Sequence, residues 1–167
     1  MQKIVAFALF STRRQEEITL LRWDDLQDDR ILVRNMKHPG DKQGNNVWCE
    51  LPPQALAIIQ SMPRAGPEIF PYSTDAIGAA YTRGCRILGI DDLRFHDLRH
   101  EGISRLFELG KTIPQVAAIS GHRSWSSLKR YTHIRQANDK YESWVWIEKI
   151  APTCNPRRRA EHLTFNQ

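Results

Sequence analysis

Strand-forming composition is concentrated in one stretch of this chain, and that confines the folds open to it. Residues 23–26 and 31–34 are short β-prone pieces on either side of the polar turn cluster Gln27-Asp28-Asp29-Arg30, and 47–51 is a third, reached through a glycine-containing loop at 37–46. A hairpin and one further strand make a small antiparallel sheet. Elsewhere apolar residues recur three and four apart, the period of amphipathic helices. Residues 1–10 read as a buried helix and 15–21 as another with Glu16 and Glu17 in its first turn, followed by 54–62. Ser73 or Thr74 caps a helix running to about Leu88 with Gly89 behind it, the next runs from about His96 to Gly110, and Thr112 with Gln115 forms the capping box of a further one. The expected fold class is α+β: a mostly helical domain with a small three-stranded antiparallel sheet in its N-terminal third.

Beyond Gly121 the pattern changes. Ser124 is placed to cap a two-turn helix in which Trp125 and Leu128 share a face, returning Tyr131 to the neighbourhood of His122. Residues 134–150 read as one helix, made apolar on more than one side by Trp144, Val145, Trp146 and Ile147, so that it wants a partner surface. The expected organisation is a domain at 1–150 and a basic, flexible tail at 151–167 carrying Arg157-Arg158-Arg159.

Composition narrows the class of partner. The 167 residues suit one domain, and the 3 cysteines, Cys49, Cys85 and Cys154, fit neither a disulfide framework nor a paired-thiol zinc site. No apolar run approaches the ~20 residues that span a bilayer. A cytoplasmic protein with reduced thiols is expected, and no membrane partner. The net charge of +5 and pI of about 9.3 make polyanions the first partner class to consider.

The polar candidates stand at the edges of apolar elements: Arg14 at a helix entrance, Lys37 and Lys42 in the hairpin loop, His96, Arg99 and His100 on one face of a helix start, His122 after the Gly121 turn, and Tyr131. Each has a bland reading, since Arg13-Arg14 can be a solvated pair and loop lysines solubilise. A metalloenzyme is the competing constellation, with His96-Asp97-x-x-His100 resembling a zinc-protease helix and His122 as third ligand. That reading leaves Arg14, the loop lysine and Tyr131 unused.

Taken in order, Arg14-x-x-Glu17 ahead of Leu21-Arg22-Trp23-x-Asp25, a lysine on a β-hairpin loop, His96-x-x-Arg99, Ile119-x-Gly121-His122, and Tyr131 nine residues later resemble the tyrosine recombinases, or phage integrases. The resemblance covers residues 1 to about 147, the catalytic domain of that family. Two departures stand out: Ser11-Thr12-Arg13 where relatives usually carry a Thr-Gly pair, and Glu50 where many have proline.

The resemblance implies a site-specific DNA recombinase, a phage or mobile-element integrase, that cleaves and rejoins duplex DNA with Tyr131 as the nucleophile and a 3′-phosphotyrosyl intermediate. By the same resemblance Arg14 and Arg99 clamp the phosphate, Lys42 or else Lys37 protonates the departing 5′ oxygen, and His96 and His122 assist proton transfer. Glu17 orients Arg14, and Arg123 and Arg130 contact DNA. Two guanidiniums suit such chemistry because they hold non-bridging oxygens bidentately at any working pH, without a metal or cofactor. Also implied are an isolated catalytic domain lacking the N-terminal core-binding domain, a bacterial nucleoid-associated location, and self-association on DNA through the helix at 134–150. The runner-up is a non-catalytic DNA-binding remnant of a prophage integrase.

Overall fold

The computed structural model describes residues 1–36 and 45–151. Lys37 and Lys42, and the basic segment 152–167, lie outside the described residues. Helix α1 (Gln2–Ser11) is apolar nearly all round, with Ile4, Ala6, Phe7, Ala8, Leu9 and Phe10 buried, so it becomes the central rod on which the others pack. Around it lie α2 (Gln15–Thr19), α3 (Pro53–Gln60), α4 (Thr74–Ile87), α5 (Asp97–Glu108), α6 (Ile113–Ser120) and α7 (Val145–Ile150). The sheet is β1 (Leu26–Gln27), β2 (Arg30–Met36) and β3 (Asn45–Glu50), antiparallel in the order β1-β2-β3. The expected α+β class is what is found.

In β2, Ile31 and Val33 point inward opposite Cys49 and Val47, and the register then shifts before Met36. Asn35, at φ 52°, takes up the extra residue. The bulge restores inward parity at Met36, whose side chain reaches the turn at Gly121.

Helix α5 divides the core. One side meets the α1 cluster, and the other a second cluster of Ile103, Leu106, Phe107, Val116, Ile119, Leu128 and Tyr131. A 3-10 turn at Trp125–Tyr131 replaces the two-turn α-helix expected there, and Ser124 does not cap it, its Oγ lying 2.6 Å from Ser126 Oγ. In a 3-10 turn residues three apart eclipse, which carries Leu128 and Tyr131 into the same cluster.

Two other expectations are corrected. Residues 23–25 are a 3-10 turn rather than a strand, because Trp23 N–H donates to Pro67 O and Arg22 bridges to Glu68, so the chain pairs with the proline-rich connector before it reaches β2. Residues 134–150 are not one helix. Asp139 is taken by the buried Arg105 guanidinium and Ala137 N–H by Glu108 O, which hold the segment against α5 and leave only α7 helical. Tyr141 and Trp144 then pack on Phe10, and Ile150 and Ala151 are buried against the chain's own core.

The crossing of α5 over α1 depends on Gly102, where a Cβ would stand 2.2 Å from Leu9 O. Gly102→Ala is expected to lower the unfolding free energy by about 3 kcal/mol, the upper part of the usual cost of overpacking. Urea denaturation measures it, and an unchanged midpoint would contradict this packing.

Candidate active site

Four chain segments converge at one end of α5, and arginines join them. Thr12 turns the chain out of α1 in the left-handed region at φ 60°, which exposes its carbonyl to Arg99 Nη1 at 2.5 Å. Arg99 Nη2 donates to Ser120 O at 3.2 Å. Arg13, fully buried, donates to Ile119 O at 2.6 Å and to Ser11 O at 3.2 Å, and its Nη1 lies 3.1 Å from Cys49 Sγ. The acceptors lie at or next to the C-terminal ends of α1 and α6, where carbonyls lack helical partners. Arg13 is the residue the sequence reading missed. It looked like half of a solvated doublet, and its one local signal is Glu17 four residues on, 3.7 Å from its guanidinium.

Arg14 opens α2 with its backbone N–H donating to Glu17 Oε2 at 3.0 Å and its Nη1 to Oε1 at 2.7 Å, and its side chain remains 31% exposed. This is the Glu17–Arg14 pairing the sequence led to. His122 follows Gly121, whose φ of 72° and whose closeness to Met36, 2.6 Å from a would-be Cβ, both require glycine. Ser120 Oγ lies 2.7 Å from His122 Nδ1, and Arg99 Nη2 lies 3.4 Å from Nε2. His96 sits exposed at the N-cap of α5 with its ring edge-on to His100, centroids 4.9 Å apart. The charges of Arg14 and Arg99 act on both His96 and His122, which places the four in one region. Met36, the last residue of β2, lies beside Gly121.

Tyr131 departs from expectation. It is only 8% exposed, its ring stacked on Phe107 with centroids 6.1 Å apart and 9° between planes, and its hydroxyl lies 2.5 Å from His100 Nδ1. The tyrosine therefore reaches α5 one turn beyond His96, where the sequence pointed to His122. Arg123 and Arg130 are exposed on the segment around it. Among the described residues no group of three or more His, Cys, Asp or Glu side chains is arranged to hold a metal, and the Asp97 carboxylate instead accepts from Arg94 N–H at 2.7 Å.

Electrostatically the pocket carries more positive charge than it can balance. Burial raises the Glu17 pKa, but Arg13, Arg99 and Arg14 outweigh it and hold the carboxyl below its ordinary value. Burial, then Arg13 and Arg14, push Arg99 down to about 9, so it stays charged at neutral pH. Burial, then Arg99, Arg14 and Arg13, push His122 down to about 3, and His96 is lowered by burial and by His100, Arg99 and Arg14. One carboxylate faces three guanidiniums, and a bound anion would relieve the excess.

A stability prediction follows from the signs. His122 titrates in the fold below its ordinary 6.5 and Glu17 below its ordinary 4.5, so at acid pH the unfolded chain binds protons that the folded chain refuses. Stability is expected to fall as pH drops below about 6.5, first through His122 and then through Glu17. His122→Gln removes the first component, so the gap between variant and wild-type urea midpoints should change between pH 7 and pH 4.5. Parallel curves would contradict the burial of a neutral imidazole.

Comparison with known proteins gives the chain's family and fold. A family model described as the phage integrase family matches residues 54–138, about half of the chain and the part that holds His96, Arg99, His122 and Tyr131. The chain is 42% identical over 149 residues to the shufflon-specific DNA recombinase of Escherichia coli, covering 88% of this chain and 36% of that protein. It is 26% identical over 175 residues to the integrase of Salmonella phage P22, covering 93% of this chain and 44% of that one. The chain thus spans less than half the length of these curated relatives. The catalytic domain of bacteriophage HP1 integrase shares its fold at a TM-score of 0.59 and 22% identity, covering 92% of this chain and 83% of that one. The Tn1549 transposon integrase in complex with transposon right end DNA does so at 0.61 and 16%, covering 97% and 58%. No helix among the described residues is long and apolar enough to cross a membrane. The family match, the relatives and the fold agree, and the chain belongs to the phage integrase family of tyrosine recombinases.

Proposed function

We propose that this chain carries the catalytic machinery of a site-specific DNA recombinase and breaks and rejoins duplex DNA through a 3′-phosphotyrosyl link to Tyr131. The observation that carries the reading is a cluster of three guanidiniums facing one carboxylate, with Arg99 next in the chain to His100, whose Nδ1 lies 2.5 Å from the Tyr131 hydroxyl. Attack on a phosphodiester builds charge on its non-bridging oxygens, and fixed cations in a dry pocket stabilise that charge more than water can. Arg14 and Arg99 would clamp the phosphate, with His96 and His122 beside it. Glu17, held by two bonds to Arg14, orients that arginine. The acid for the departing 5′ oxygen is assigned to Lys42, with Lys37 as the alternative.

A phosphate seated against His96 would lie about one helical turn, ~5–6 Å, from the phenol oxygen. The buried and already bonded tyrosine supports a nucleophile rather than a chance surface residue. A non-catalytic remnant would have a use for the struts of Arg13 and Arg99, but none for the bonded tyrosine beside them. The name of the 42% identical relative adds support for DNA rearrangement, of which phage or mobile-element integration is one form. Duplex DNA is the proposed partner, with Arg123 and Arg130 as contacts and no cofactor needed. Self-association through the C-terminal segment has thinner support, because Trp144, Ile147 and Ile150 pack on the chain's own core and, of the large apolar side chains there, Val145 and Trp146 stand exposed.

Nicked suicide duplexes randomised around the nick test the reading. Wild type should form a protein-DNA adduct that survives denaturing gels, Tyr131→Phe none, and Arg99→Ala should be slower by about 10²–10³-fold, as for loss of one oxyanion donor. An adduct formed equally by Tyr131→Phe would overturn the assignment.

A further inference from the structure

His100 takes no part in the phosphate pocket, yet it makes the one close contact described for the tyrosine oxygen. It lies one turn along α5 from His96, half-buried, with Nδ1 2.5 Å from Tyr131 Oη. The phenol ring is independently fixed by stacking on Phe107, and Tyr131 is only 8% exposed. The hydrogen bond is thus not needed to aim the ring, and water has little access to collect a proton from the hydroxyl. Imidazole is the side chain best suited to moving a proton near neutral pH.

The other basic groups at hand are poor acceptors. Burial and Arg99, Arg14 and Arg13 hold His122 at about 3, and His96 is lowered in the same way. The Glu17 carboxylate is committed to Arg14 through both oxygens. We infer that His100 is the proton acceptor for Tyr131, a catalytic residue beyond the arginines, lysine and histidines of the phosphate pocket. The inference rests on the phosphotyrosyl reading given above.

The step balances. As the phenol oxygen bonds to phosphorus its proton passes to His100 Nδ1, the P–O5′ bond breaks with its electron pair on O5′, and that oxygen takes a proton from the acid on the leaving side, the loop lysine. On rejoining, the 5′ hydroxyl attacks phosphorus and returns its proton to the lysine, the O–P bond to tyrosine breaks, and the imidazolium returns its proton to the phenolate. Nothing is oxidised or reduced.

His100→Asn tests this, because asparagine keeps a hydrogen-bonding group near the position of Nδ1 but cannot accept the proton. With the same nicked duplexes, adduct formation should slow by about 10²–10³-fold while DNA binding is unchanged, the usual effect of losing a general base. A rate within about threefold of wild type would reduce His100 to a positioning group, and a faster rate would make it a latch, and either overturns the proposal. Tyr131→Phe run alongside separates the two claims, since an adduct there, or none with wild type, condemns the phosphotyrosyl reading itself. Long-range ¹H–¹⁵N NMR of the free chain reads the proton without any cleavage. The proposal expects His100 to carry its proton on Nε2 with Nδ1 bare, and a proton on Nδ1 would overturn it.

Discussion

Buried guanidiniums hold this domain together where helix ends cannot satisfy themselves. The last carbonyls of α1 and α6 have no partners within their helices, and Arg13 and Arg99 supply donors to Thr12, Ile119 and Ser120. Desolvating such charges is costly, and Glu17 with the carbonyl dipoles offsets only part of the cost. The corner between α1 and α2, the end of α6 and the start of α5 are fixed relative to one another by the same atoms that leave the pocket over-positive. Structure and anion affinity therefore have one cause.

That arrangement divides labour along α5. Its first turn gives Arg99 to the strut and His96 to the pocket mouth, its second gives His100 to Tyr131, and its third gives Arg105 to Asp139. Arg105 also lies over Phe10, its guanidinium carbon 5.0 Å from the ring centroid. One helix thus ties the phosphate pocket, the tyrosine segment and the C-terminal return to the central α1. The 3-10 turn ending at Tyr131 joins the second core cluster through Leu128 and the tyrosine itself.

Much of the fold was legible because local chemistry decides it. Ser73 caps α4 through Ala76 N–H, Thr112 and Gln115 form their capping box, and Gly89, Gly110 and Gly121 adopt positive φ where helices stop. The helical interval alone brought His96, Arg99 and His100 to one region of α5. The illegible parts depend on contacts distant in sequence. Arg13 is a strut only because Ile119 and Cys49 come to it, residues 134–144 stay out of a helix only because α5 offers Arg105 and Glu108, and Tyr131 finds His100 through a 3-10 turn where the local pattern suggested an α-helix.

Burial and the guanidinium cluster together keep His122 neutral until an anion arrives. NMR titration of the His122 ring tests it most directly, in the free chain and with inorganic phosphate or a short duplex added. The account predicts an imidazole that stays unprotonated down to about pH 3 in the free chain and whose pKa rises when phosphate is bound. Titration near the ordinary 6.5 in the free chain, indifferent to phosphate, would contradict it.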